Sequence, residues 1–116
     1  MAKPTNKERL LHVIHAIDSI KDFMDDMDEE EFLKNSMIQS AVLYQFLIIG
    51  EAIKSIESWF LEPYPYPWNV PKSFRNFIAH EYHKIKMTRI YAASEDLDQL
   101  KALVNRIIEK EFPDTN

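Results

Sequence analysis

A single glycine, Gly50, in a chain of 116 residues is the feature that most narrows the fold. Phosphate-cradling loops and tight hairpin turns need backbone at positive φ, which glycine adopts without strain and most residues resist. One glycine argues against an α/β nucleotide fold and against a β-rich fold, and an all-helical domain fits instead. The length is that of one domain, covering 1–116. With no Cys there is no disulfide framework, thiolate metal site or cysteine nucleophile. The start of the chain, through Arg9, lacks the apolar core of a signal peptide, and no apolar run approaches the ~20 residues of a bilayer span. The expectation is a cytoplasmic protein without a membrane partner.

Apolar spacing sets the helices. Leu10, Val13, Ile14, Ile17, Ile20 and Met24 recur every three or four residues, which predicts an amphipathic helix from about Lys7 to Met27. A short helical piece over Glu29 to Lys34 is expected next, then a long helix from about Ser36 to Leu61. That helix is apolar on nearly every side, so it lies centrally or between subunits. Gly50 falls inside it, at a cost of about 1 kcal/mol relative to Ala, which predicts close packing against another helix. The Pro-rich stretch 61–71 is expected to be an ordered loop whose aromatics cover the core. Pro71 then opens a helix to about Tyr82 as a first-turn proline. A further helix begins near Thr88, with a break near Ser94 to Leu97 before a last amphipathic series ending at Pro113.

Charge is unevenly spread beneath the net −5. From Asp18 to Glu31 five Asp, three Glu and one Lys leave −7, whereas from Lys72 to Arg89 three Lys, two Arg and one Glu leave +4. The second stretch holds two of the four His and is flanked by aromatics, so an anion site is expected there. On a wheel of about 100° per residue from Arg75, Phe74, Phe77 and Ile78 fall near 260°, 200° and 300°, on a face expected to be buried, while Asn76 and His80 fall near 100° and 140°, on the face presented outward. Asn76 and His80 are an i, i+4 pair able to hydrogen-bond and fix the imidazole tautomer. Arg75 and His80 diverge by roughly 140° on a straight helix. One phosphate reaches both only if the helix unwinds after Ala79 or a second copy supplies the partner residue.

These residue types suit phosphodiester cleavage without a metal: histidine moves protons near neutral pH, and arginine grips a phosphate at two points and offsets its growing charge. The plainer account pairs Arg75 with Glu51 or Glu57 and leaves His80 as a helix-end cap. His12, His15, Asp18 and Asp22 also share one stripe of the first helix at metal-ligand spacing, but no second carboxylate helix matches it, so no metal is expected. Tyr64, Tyr66 and Trp68 could stack bases, yet the interleaved prolines favour a covering loop.

The segment Arg75-Asn76-Phe77-Ile78-Ala79-His80-Glu81-Tyr82 has the form R-N-x-x-x-H-x-Y, which resembles the R-x4-H-x-Y motif of HepT-like toxins in the HEPN superfamily. Arg9-Leu10-Leu11-His12, Ile48-Ile49-Gly50-Glu51-Ala52-Ile53-Lys54, Pro67-Trp68 and Asp96-Leu97 extend the resemblance in order along nearly the whole chain. It implies an all-α, up-and-down HEPN-like bundle of four to five helices, forming a homodimer whose two motifs face across a cleft. It further implies a metal-independent endoribonuclease with Arg75, His80 and Asn76 as catalytic residues and no cofactor. The implied partners are an RNA substrate, near Lys72, His83, Lys84 and Lys86, and a minimal nucleotidyltransferase antitoxin (MntA-like). That antitoxin acts by binding or by adding AMP to Tyr82, which a continuing helix aims at the same side as Arg75. Ser73-Phe74 stands where family members often have Gly-Met, and His83 and Pro71 also depart from the pattern; these bear on the shape of the cleft. Non-catalytic relatives share the bundle and help a nucleotidyltransferase bind its substrate, which is the competing function.

Overall fold

A computed structural model describes residues 2–113, and these form seven α-helices, one 3-10 turn and no strand. Helix α1 (Asn6–Phe23) starts on a reciprocal cap, in which Thr5 Oγ1 accepts from the Glu8 amide and the Glu8 carboxylate accepts from the Thr5 amide. It ends at Phe23, short of the expected Met27, because the chain turns through Asp26 at φ 57°, a left-handed conformation that Asp tolerates better than most residues. Helix α2 (Glu29–Leu33) opens on a second such cap, Asp28 with Glu31. Asn35 caps α3 (Ser36–Ser55) by accepting from the Ile38 amide at 3.0 Å.

The long helix expected to reach Leu61 stops at Ser55, and α4 (Ser58–Leu61) is a separate turn. The start of α1 accounts for the break: Arg9 donates to the Ser55 carbonyl and Asn6 Nδ2 donates to Glu57 Oε2 at 2.9 Å. A guanidinium satisfies an orphan carbonyl at the negative end of the helix dipole, so stopping there is favourable. Ile56 then takes an extended conformation and is buried.

Helix α3 packs along both α1 and α5 (Asn69–Glu81), while α7 (Asp98–Glu111) packs on α1. Lys21 pairs with Asp98, and Lys101 with Asp18 at 2.6 Å, so α7 runs antiparallel to α1. The core joins Val13, Ile17 and Ile20 of α1, Val42, Phe46 and Ile53 of α3, Ile78 of α5, and Val104 and Ile107 of α7. Burial of each such side chain is worth about 1.5–3 kcal/mol. Phe32 of α2 is fully buried, its ring centroid 5.8 Å from that of Tyr91 on α6 (Met87–Ser94), closing one end of the bundle. Among the described residues α3 is long and apolar enough to cross a bilayer, contrary to the expectation that no segment came near that length, and here it serves as the central helix of the bundle.

The Pro-rich loop covers the core as expected. Tyr64, Tyr66 and Trp68 are half-buried against it, the Trp68 indole donates to the Tyr64 carbonyl at 3.0 Å, and the Tyr66 and Trp68 rings lie 4.8 Å apart. The Tyr64 hydroxyl donates to Glu111, and desolvation together with that contact pushes its phenol up to about 12. Helix α5 starts two residues earlier than expected, at Asn69. Pro71 sits in its first turn, where a missing amide hydrogen leaves no intrahelical bond unmade.

Candidate active site

The crossing of α3 over α5 is built around the lone glycine. A Cβ added at Gly50 would lie 2.2 Å from Arg75 Cβ and 2.7 Å from the Pro71 carbonyl oxygen, so no other residue permits this approach. The close packing expected of Gly50 is therefore packing against the motif arginine itself. One residue on, Glu51 Oε2 accepts from Arg75 Nε at 2.9 Å, and Arg75 Nη1 donates to Asn76 Oδ1 at 3.1 Å. Phe46 and Phe74 meet edge to face at 5.0 Å on the same helix pair. The guanidinium, its side chain 25% exposed, is thus held at its root by helix packing and at its tip by two acceptors. Unengaged N–H groups remain to face solvent.

Asn76 serves Arg75, and this corrects the expected bond to His80. Among the described residues no hydrogen bond joins Asn76 to the imidazole, and both side chains are exposed. His80 lies in the last turn of α5 and makes no side-chain hydrogen bond or ion pair to a described residue. The helix does not unwind after Ala79. It continues through Glu81, so Arg75 and His80 keep the roughly 140° divergence of a regular helix.

The helix thus ends within a residue of the expected Tyr82, and the continuation that would aim the phenol to the Arg75 side does not form. Glu81, at φ −131° and ψ 28°, breaks the register, and a 3-10 turn follows over Tyr82–Lys84. Tyr82 is 71% exposed, and its ring meets that of His83 edge to face at 5.9 Å. A seven-residue spacing from Arg75 therefore no longer fixes where the phenol points. Glu81 also draws Lys84, at 3.5 Å, and His83, at 3.9 Å. Lys72 stands on the Arg75 side of α5, away from Lys84 and Lys86, which lie with Arg89 along an open groove on the opposite side. Glu51 is legible in the sequence only as one of two acidic partners for Arg75, Arg89 carries no local signal of a site residue, and Phe77, expected on a buried face, is instead 39% exposed. Asp18, one of the four residues at metal-ligand spacing on α1, is taken by Lys101.

With this geometry in place, the comparisons with known proteins converge. The family description "Ribonuclease HepT-like" matches residues 13–107, and the chain belongs to that HepT-like family. A Methanocaldococcus jannaschii protein named provisionally as an RNase is 32% identical over 103 residues, covering 87% of this chain and 94% of that one. A second protein of that organism, named in the same way, is 33% identical over 92 residues, covering 78% and 76%. A Thermococcus cleftensis protein, named equally provisionally as ribonuclease HepT, is 29% identical over 107 residues, covering 90% and 97%. No solved structure matches the chain. An all-helical fold and membership of this family point to a ribonuclease.

Proposed function

We propose that this chain is the metal-independent endoribonuclease toxin of a toxin–antitoxin pair, acting as a homodimer. The observation that carries the reading is the contrast on α5. Arg75 is locked by Gly50 and Glu51, while His80, one and a half turns further on, has an imidazole free to exchange protons with a guest. His80 of one chain takes the proton of an RNA 2'-hydroxyl, whose oxygen attacks the adjacent phosphorus. The 5'-oxygen departs with a proton from the His80 of the second chain. Arg75 steadies the negative charge that builds on the phosphate oxygens. The products are a 2',3'-cyclic phosphate and a 5'-hydroxyl end. Purified protein in EDTA is expected to cleave RNA to these ends and to leave DNA intact. Cleavage that needs added Mg²⁺ would refute the mechanism, and binding without cleavage would favour a non-catalytic, nucleotide-binding subunit.

Two observations support the dimer. Arg75 and His80 diverge within one chain, so a second copy is the direct way to bring both onto one phosphate. The face of α3 turned from α1 also leaves Met37 75% and Tyr44 61% exposed, on a stripe that runs through Ala41 and Ile48 to Glu51. Pairing these stripes about a two-fold axis buries them and sets the two Arg75 crossings near one another. Tyr44→Asp is expected to shift light-scattering mass from dimer to monomer and to abolish cleavage. A wild-type monomer at micromolar concentration would count against the assembly.

The partner in this reading is a minimal nucleotidyltransferase that transfers AMP to Tyr82. The strongly exposed phenol at the break after α5 suits such access. An attached AMP places a phosphate and a bulky nucleoside at the edge of the basic segment, opposing RNA entry. Co-expression with the nucleotidyltransferase is expected to add AMP mass units that vanish in Tyr82→Phe. Neutralisation of an unmodified chain would show that binding alone suffices.

A further inference from the structure

Helix α5 carries a second face whose composition is unusual for a solvent-exposed surface. Val70 is 54% and Phe77 39% exposed, and together with Ile85 they floor an open groove of about 560 Å³ between α5 and the segment leading into α6. That volume is in the range of small-ligand sites. Lys84, Lys86 and Arg89 rim it, and no acidic side chain lines it. Lys86 and Arg89 form no ion pair with a described residue, in a protein whose overall charge is −5. Phe77 and His80 are three residues apart, so the groove begins one helical turn from the imidazole and leads away from Arg75.

We infer that this groove is a nucleotide subsite, which receives the base next to the cleaved linkage on Phe77 and the following phosphates on Lys86 and Arg89. The inference rests on the ribonuclease reading for what lies beside it. An exposed aromatic ring between unpaired cations is the combination that holds single-stranded nucleic acid, since the ring stacks any base and the cations track the backbone. An acidic peptide would use the same cations, but the position of the groove beside His80 favours the polymer whose phosphate reaches that imidazole. The subsite makes Phe77 and Arg89 determinants of how firmly the strand beside the cut is held, whatever its base.

The test uses an 8-mer of 2'-O-methyl RNA, which lacks the attacking hydroxyl, with fluorescence anisotropy in EDTA at several salt concentrations. Phe77→Leu keeps the apolar volume and loses stacking, and is expected to weaken binding roughly ten- to a hundredfold. Lys86→Gln with Arg89→Gln is expected to weaken it further and to flatten the dependence of log K on log salt by roughly 1.4, the slope of two single-strand phosphate contacts. Unchanged affinity and slope in both variants, with circular dichroism showing intact helices, overturns the subsite. So does a Glu-rich peptide that binds as tightly as the oligonucleotide and responds equally to Phe77→Leu. Failure of the ribonuclease reading looks different: wild type leaves ordinary RNA uncut while the groove variants still lose the 2'-O-methyl ligand. If instead the variants bind and cleave normally while His80→Ala is inactive, the subsite falls and the ribonuclease stands.

Discussion

His80→Ala is expected to lower RNA cleavage by roughly 10²- to 10⁴-fold while changing the free energy of unfolding by no more than about 0.5 kcal/mol. The two halves of this expectation come from one fact. The imidazole is exposed on the last turn of α5 and has no partner among the described residues, so its removal costs the fold neither a hydrogen bond nor a filled cavity. In the proposed mechanism its whole contribution is then to the proton transfers of the reaction. Arg75→Lys is the complementary variant. An ammonium cannot bridge Glu51, Asn76 and a phosphate with one planar fork, so most activity is lost here as well. Product analysis on a defined RNA, beside a urea unfolding curve, checks both. Full activity in His80→Ala removes the residue from the mechanism.

Gly50→Ala sets two physical effects against each other. Helix propensity alone makes it stabilising by about 1 kcal/mol. Packing opposes this, because the new methyl would stand 2.2 Å from Arg75 Cβ and 2.7 Å from the Pro71 carbonyl oxygen. The second contact is with backbone, which cannot rotate aside, so α5 has to shift away from α3. Overpacking of this kind costs roughly 1–3 kcal/mol, so after the propensity gain the net expected change is a loss of about 1 kcal/mol. Since the displaced helix carries Arg75 and His80, cleavage is expected to fall with stability. Chemical denaturation decides the sign: a variant more stable than wild type would mean that the crossing is looser than its geometry indicates.

How much of this was legible in the sequence depends on whether a feature is local. The spacing of Leu10, Val13, Ile17 and Ile20 encodes a buried helical face directly, and the lone Gly50 inside an apolar helix announced a tight crossing. The identity of the residue it meets was not legible, because Arg75 lies 25 positions away and only the packed bundle brings them together. Helix ends escape a local reading for the same reason. Ser55 ends α3 through contacts from Asn6 and Arg9, some fifty residues earlier, which no local pattern contains. The Asn76–His80 pair followed from i, i+4 geometry, but a nearer donor, Arg75, takes the amide oxygen. A helix continued past Glu81 would align Tyr82 with Arg75, but the backbone changes course there. The groove beside Phe77 depends on the chain returning through the 3-10 turn to place Lys86 and Arg89 opposite α5, a tertiary arrangement hidden in the order of residues.

The ion pair between Glu51 and Arg75 also governs what a polyanion senses at a distance. Seen from beyond a Debye length, about 8 Å at physiological ionic strength, a guanidinium in contact with a carboxylate is close to electrically silent. Lys86 and Arg89 have no such counter-charge among the described residues, and they project an unbalanced field into solvent. In the proposed ribonuclease, capture and alignment of the strand are thereby divided between different cations. Salt weakens the first by screening, whereas the second acts only at contact, where screening has little purchase.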